Sequence, residues 1–371
     1  MQAVILVGGE GTRLRPLTSG TPKPIVTFVD RPFMGFMLEW LAGHGVEDVI
    51  MSCGFLATKV KAVLGDGSAF GVRLRFVEEP EPRGTAGALK YAGELLDERF
   101  LMLNGDILTD VDVRAQIAQH QATGAVGTLG LVPVTDPTQY GLVMTGEGGA
   151  VTGFLEKPGR DKLEGITEYL ISAGIYVLER SVLDRIPPDR NVSIETVIWP
   201  QLVGEGLYGY AARGRYWLDI GTPERYLEGT ADILLGNVET RVGERLDARG
   251  RFLAPDTVER GAIVAGAVIA EEGVRIATGA RVVGPTVLGR GVTIGAGAVV
   301  ERSVVLDGAS IAPGAFVADS ILSPGVHVGE RTVVQGQSVL GKGVVVGADC
   351  KLDHGIRVFP GTRLGDGAVR F

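Results

Sequence analysis

Ala3-Val4-Ile5-Leu6-Val7-Gly8-Gly9-Glu10-Gly11-Thr12-Arg13-Leu14-Arg15-Pro16-Leu17-Thr18, closed by Pro22-Lys23-Pro24, is the stretch that decides the N-terminal fold. The apolar run Ala3 to Val7 reads as a strand buried on both faces, as in a parallel sheet. A glycine loop at the end of such a strand exposes backbone N–H groups and lets a polyphosphate approach closely. Arg13, Arg15 and Lys23 set cationic side chains beside that cradle. Two other phosphate motifs do not fit. A dinucleotide fingerprint needs a third glycine where this chain has Leu14. The only near match to a P-loop, Gly336 to Gly343, lacks the final Ser or Thr.

Outward from the loop, residues 1 to about 235 alternate strands and helices. Asp30 is placed to cap a helix with Pro32 in its first turn, and Phe33, Phe36, Met37, Trp40 and Leu41 share one face. Gly43 and Gly45 end that helix. Val49 to Met51 and Val72 to Val77 read as further strands. Thr85 opens a helix running to about Leu96, and the strand Phe100 to Leu103 leads directly into Asn104-Gly105-Asp106. This rhythm predicts an α/β domain with a mostly parallel, Rossmann-like sheet and helices on both faces. Ligands of such sheets sit beyond the carboxyl ends of the strands, where the glycine loop and Asp106 both fall.

The second half obeys another rule. An apolar residue recurs every sixth position at Val258, Val264, Ala270, Ile276, Val282, Leu288, Ile294, Val300 and Leu306. The phase slips through Ile311 and Val317, then resumes at Leu322, Val328, Val334, Leu340, Val346, Leu352, Val358 and Leu364. The chain is 45% hydrophobic, so chance would leave gaps in these series, and there are none. A stride of six is the hexapeptide signature of a parallel β-helix, left-handed in hexapeptide proteins, with inward residues stacked from coil to coil. The expected organisation is a catalytic domain over 1–235, a charged linker over 236–257 and the β-helix over 258–371.

Composition sets further bounds. The 371 residues exceed one ordinary domain. A net charge of −8 argues against nonspecific nucleic-acid binding, so positive charge is concentrated locally in the first 25 residues. Two distant cysteines, Cys53 and Cys350, give no disulfide framework and fit a reducing cytoplasm. No apolar run approaches a membrane span, and the start of the chain shows no signal-peptide pattern. The four histidines, His44, His120, His327 and His354, are scattered and read as surface or loop residues.

The N-terminal loop resembles the signature of the sugar-1-phosphate nucleotidyltransferases, and the hexapeptide tail matches the architecture of many members. The resemblance covers essentially the whole chain. It implies attack by a sugar-1-phosphate oxygen on the α-phosphorus of a nucleoside triphosphate, with pyrophosphate leaving and no covalent enzyme intermediate. Such chemistry needs positioning and charge neutralisation more than a protein nucleophile. By resemblance, Gly8, Gly9, Gly11, Thr12 and Arg13 meet the nucleotide. Arg13 and Lys23 contact its triphosphate. Asp106 and Asp219 hold Mg²⁺, which prefers one or two carboxylates plus phosphate oxygens and waters. Asp219 lies in Trp217-Leu218-Asp219-Ile220-Gly221-Thr222-Pro223, ahead of a helix that Thr222 can cap. Phe154-Leu155-Glu156-Lys157-Pro158 matches the sugar-phosphate segment, with Lys157 on the phosphate and Glu156 on sugar hydroxyls. Gly141 and Gly174 match two further sugar-contacting positions. Ser172 stands where many relatives have Asn, a departure that leaves the hexose open.

The base is expected to meet Glu78-Glu79-Pro80-Glu81-Pro82-Arg83-Gly84-Thr85-Ala86-Gly87. Guanine presents two adjacent donors, and a carboxylate, acceptor only, can take both. Glu79 therefore favours GTP, with Gly84 and Thr85 in the same nucleotide segment. The Gly-Thr-Ala-Gly form, Val192-Ser193-Ile194-Glu195 and the tail Asp366 to Arg370 look like the mannose-1-phosphate guanylyltransferase branch. A glucose-1-phosphate uridylyl- or thymidylyltransferase is the alternative within the class. A hexapeptide acyltransferase is disfavoured because His327 and His354 lie inside regular hexads. A regulatory paralogue is disfavoured because Arg13, Lys23, Asp106, Lys157 and Asp219 are all present. The β-helix is expected to serve self-association and stability rather than chemistry, its coil faces and open end suiting homo-oligomer formation.

Overall fold

The computed structural model describes residues 1–54 and 56–370, and of Glu156 the backbone alone. The chain packs as two compact units, residues 1–10 with 34–218 and residues 11–33 with 219–371. Residues 11–33, which carry Arg13 and Lys23, pack with the C-terminal half in this division.

Among the described residues, the first unit is built on a nine-stranded sheet. Gln2–Leu6 lies between Asp48–Cys53 and Arg99–Asn104, all parallel, and Arg73–Glu78 extends the parallel half beyond Asp48–Cys53. The other half is mainly antiparallel, with Leu207–Ala211 running parallel to Gly127–Pro133. Leu170–Glu179 pairs antiparallel with Arg99–Asn104, Gly127–Pro133 and Gly141–Thr145, and Val151–Glu156 closes that edge. Ala3, Val4 and Ile5 are fully buried, as a strand covered on both faces requires. The helix Phe33–Gly43 is apolar almost all round, with Met34 and Leu38 as buried as the expected stripe. The helix expected from Thr85 to Leu96 is Gly84–Tyr91, followed by a separate 3₁₀ turn, Gly93–Leu95. His120, expected at the surface, is fully buried between the Thr128 hydroxyl and the Glu179 carboxylate at 2.9 and 3.0 Å.

In the second unit, the left-handed β-helix has, among the described residues, three parallel sheets of seven, six and six strands. Its core is one apolar column that includes Ala270, Ile276, Val282, Leu288, Ile294 and Val300. The phase slip falls one rung earlier than expected. Leu288 registers with Val305, which is fully buried and joins the column, whereas Leu306 does not. Both residues are apolar, so only stacking register distinguishes them. The span expected as a linker is partly ordered: Arg241–Arg245 forms a turn, and Arg251–Leu253 pairs with Val268–Ala270 as the first rung. Glycine after the inward residue has a packing reason. A Cβ on Gly295 would stand 2.6 Å from Pro313 N, and one on Gly329 2.4 Å from the Gly347 carbonyl carbon.

Residues 11–33 join this unit through an aromatic cluster and an ion network. Phe28 is fully buried, and its ring meets Tyr226 edge-on at 5.0 Å. The Tyr226 hydroxyl donates to the Thr27 carbonyl. Asp30 does not cap a helix. Its carboxylate accepts from Arg31 at 2.7 Å and from Arg245, and Arg245 also reaches Glu271 at 2.8 Å. Burial alone would raise the Asp30 pKa, but the two guanidiniums more than offset it and hold the carboxyl below its ordinary value.

Candidate active site

In the first unit the ends of the parallel strands converge on the start of the glycine loop. The Gly105 N–H donates to the Leu6 carbonyl at 3.0 Å. A Cβ on Gly105 would stand 2.3 Å from Val7 Cγ1, so glycine lets the strand end that precedes Asp106 close against the first strand. Asp106 is half-buried, and Gly8 and Gly9 are exposed.

Glu79 is 8% exposed, far from the solvated surface its charge would otherwise seek. The Ser52 hydroxyl donates to its Oε1 at 2.8 Å. The same oxygen lies 3.8 Å from where a Gly8 Cβ would be. A buried carboxylate therefore borders the glycine loop, oriented by a neighbouring strand. Burial, reinforced by the Glu79 charge, pushes the Cys53 thiol up to about 12 and leaves it unionised at neutral pH.

The Gly-Thr-Ala-Gly segment is locked to a distant loop. Cβ atoms on Gly84 and Gly87 would stand 2.6 Å from the Val192 carbonyl oxygen and 2.5 Å from that of Arg190. The Thr85 hydroxyl donates to Glu195 at 2.8 Å and accepts from the Ile194 N–H at 2.8 Å. Both glycines and Thr85 thus have packing roles that hold the segment following Glu79. Ser52 carries no local motif signal, and the Val192-Ser193-Ile194-Glu195 motif does not by itself reveal the bond from Thr85.

The expected sugar-phosphate residues gather on the antiparallel half. Gly141 registers opposite Glu156, and the Lys157 N–H donates to the Tyr140 carbonyl at 3.0 Å. Lys157 is exposed and held at φ 40°, which turns the chain sharply after the strand. The Glu156 side chain lies outside the described residues. Gly174, at φ 70°, presses on Asn104, where a Cβ would meet the amide nitrogen at 2.9 Å. Sequence reasoning missed Trp217 here. Its indole N–H donates to the Ala173 carbonyl at 2.8 Å, and its ring meets Tyr140 edge-on at 6.0 Å. Ser172 Oγ lies 3.0 Å from the Tyr176 hydroxyl.

In the second unit Gly11 adopts the left-handed conformation and starts the 3₁₀ turn Thr12–Leu14. Its carbonyl accepts from the Thr18 hydroxyl at 2.8 Å. Leu14 is buried while Thr12 and Arg13 are exposed, so the turn anchors by its apolar residue and presents its polar ones. A Cβ on Gly221 would stand 2.9 Å from Arg13 Nη2 and 3.1 Å from Asp219 Oδ2. Gly221 thus leaves the space in which the Arg13 guanidinium and the Asp219 carboxylate come together. Lys23 is half-buried, with its Cβ packed 3.3 Å from the corresponding point on Gly11. Thr222 caps the helix Pro223–Leu235, its Oγ1 accepting from the Arg225 N–H at 3.3 Å. Among the described residues no three His, Cys, Asp or Glu side chains gather as a metal-holding group. A donor set of fewer carboxylates suits a metal completed by phosphate oxygens and water. No helix is long and apolar enough to cross a membrane among the described residues.

The family model described as nucleotidyl transferase matches residues 2–235, and the one described as the GMPPB C-terminal domain matches 264–366. A Mycobacterium tuberculosis protein named mannose-1-phosphate guanylyltransferase is 37% identical over 100% of this chain and 98% of its own length. The Drosophila melanogaster mannose-1-phosphate guanylyltransferase catalytic subunit beta is 36% identical over 95% of this chain and 92% of its own. Among solved structures, HddC from Yersinia pseudotuberculosis aligns at 28% identity with a TM-score of 0.54. That match covers 61% of this chain and 96% of HddC. HddC complexed with GMP-PN aligns at 27% identity with a TM-score of 0.53.

Proposed function

Because the chain belongs to the nucleotidyl transferase family, we propose that it transfers guanylyl from GTP to mannose-1-phosphate, forming GDP-mannose and releasing pyrophosphate. The observation that carries the choice of base is the buried Glu79 carboxylate, turned by Ser52 beside Gly8. An acceptor-only group there complements the N1–H and 2-amino donors of guanine. The choice of sugar is supported by the end-to-end similarity to relatives named for mannose-1-phosphate.

In this reading the amides of Gly8, Gly9, Gly11 and Thr12 receive the triphosphate, and Arg13 and Lys23 offset the charge that develops as pyrophosphate leaves. Lys157 binds the sugar phosphate, and Glu156, Gly141 and Gly174 border the hexose. Trp217 supports that side by fixing the Ala173 carbonyl and packing on Tyr140. Asp106 and Asp219 would hold Mg²⁺. When bound, the ion screens the phosphates and polarises the phosphorus centre. The protein supplies orientation, with no covalent intermediate. We further propose cytoplasmic placement and self-association through the β-helix, supported by the reduced, buried Cys53 and Cys350 and by the continuous coil stack. Pyrophosphate release with GTP and mannose-1-phosphate, against the other nucleotide and hexose-1-phosphate pairs, tests the proposal. Preference for UTP or dTTP with glucose-1-phosphate would replace it by the alternative within the class.

A further inference from the structure

One position in the β-helix breaks its own rule. On the seven-stranded face, successive coils place Phe252, Ile269, Val287, Val304, Ile321 and Val339 in register. The last coil places Arg357 there. The guanidinium Nη1 of Arg357 donates to two backbone carbonyls, those of Arg13 at 2.8 Å and Arg15 at 3.1 Å. These carbonyls lie at the end of the 3₁₀ turn Thr12–Leu14, which also makes local backbone bonds. Leu14 N–H donates to Gly11 and Arg15 N–H to Thr12, at 3.0 and 3.2 Å. The far end of the same segment is fixed to the second unit by Asp30, Arg245 and Glu271.

We propose that Arg357 is a positioning residue for the reaction: the final β-helix coil holds the backbone of the phosphate loop so that the Arg13 side chain is presented to the triphosphate. This rests on the reading that the loop meets the triphosphate. It also assigns the β-helix a part in chemistry that the repeat pattern alone does not suggest. A guanidinium suits the task because its planar fork stays charged at every working pH and can serve two carbonyls at once. The contact is exposed to solvent, so its effect is moderate.

The test uses the full chain as Arg357→Met and Arg357→Lys, with Arg363→Met as the control. Arg363 is an exposed arginine in the next rung. Amide hydrogen exchange across residues 11–17 is measured together with steady-state kinetics. In Arg357→Met, exchange at Leu14 and Arg15 rises, and kcat/KM for GTP falls, each by about threefold to tenfold, the range of a partly solvated charge-assisted hydrogen bond. KM for mannose-1-phosphate and the Tm stay at wild-type values. Arg357→Lys recovers part of both effects, since an ammonium still donates to one carbonyl. Unchanged loop exchange in Arg357→Met, equal effects in Arg363→Met, or a rise in exchange spread through the whole coil stack overturns the proposal. Failure of the functional reading looks different. Wild-type protein would form no GDP-mannose, while the exchange comparison still decides whether Arg357 holds the loop.

Discussion

Replacing Glu79 by glutamine tests the base reading with a sign fixed by the structure. The carboxylate is 8% exposed, and Ser52 donates to its Oε1 at 2.8 Å. Glutamine is nearly isosteric and keeps an oxygen that can accept the same bond. Ser52 therefore holds that oxygen and turns the amide NH₂ toward the other side of the group. Two guanine donors would then face an NH₂ in place of an acceptor. A buried donor left without a partner costs about 1–3 kcal/mol, or roughly tenfold to hundredfold in kcat/KM. For uracil or thymine the sign reverses, because the new donor meets a carbonyl. The assay is the ratio of kcat/KM for GTP over UTP, at one fixed sugar phosphate, in wild type and Glu79→Gln. The ratio is expected to fall by at least tenfold. Adding Ser52→Ala frees the amide to flip and restores part of the GTP activity. A ratio that does not move, with the Tm unchanged, would refute the reasoning that Glu79 reads the base.

Other outcomes follow from the same geometry. Asp106→Asn and Asp219→Asn are each expected to lower kcat by at least about a hundredfold, with far-UV circular dichroism unchanged, because a metal-held charge contribution is worth several kcal/mol. Near-normal turnover at saturating Mg²⁺ in either variant removes that aspartate from the metal set. Gly221→Val fills the space 2.9 Å from Arg13 Nη2 and 3.1 Å from Asp219 Oδ2, so it should lower kcat more than it lowers stability. A loss of Tm without loss of activity would contradict this. Burial lowers the His120 pKa below 6.5 against the opposing pull of Glu179. The unfolded chain therefore binds the extra proton first, and stability is lost as the pH falls below about 6.5 toward the folded value. Unfolding free energy measured from pH 7 to 5 should fall less steeply in His120→Gln; equal slopes would show that His120 does not carry the dependence.

The strand into the glycine loop and the hexads were legible because both rest on period and local chemistry. Ala3 to Ile5 form the buried strand, and the inward column follows the stride of six. What escaped depends on partners far away in sequence. Asp30 has the composition of a helix cap, but Arg245 takes its carboxylate across 215 residues. Val305 and Leu306 are both apolar, so the phase slip is decided by coil register alone. The packing of residues 11–33 with 219–371 depends on Phe28 meeting Tyr226, a contact no local window contains.

Within the site, the difference is between residues that offer chemistry and residues that hold them. Glu79, Asp106, Lys157 and Asp219 stood out by charge and motif. Ser52, Glu195 and Trp217 act through single long-range hydrogen bonds, to Glu79, Thr85 and the Ala173 carbonyl. Gly84 and Gly87 were expected beside the nucleotide, and the structure gives them close approaches to residues 190–192 as well. Their motif reflects packing that steadies the segment, a demand that looks the same in sequence as a ligand contact.

The most direct test of the central claim is a substrate grid. Purified full-length protein is offered GTP, UTP, dTTP, ATP and CTP, each with mannose-1-phosphate, glucose-1-phosphate and galactose-1-phosphate, with and without Mg²⁺, and pyrophosphate release is measured. The account predicts Mg²⁺-dependent release that is fastest for GTP with mannose-1-phosphate, with GDP-mannose as the second product. Fastest release with UTP or dTTP and glucose-1-phosphate, or no release from any pair, would contradict it.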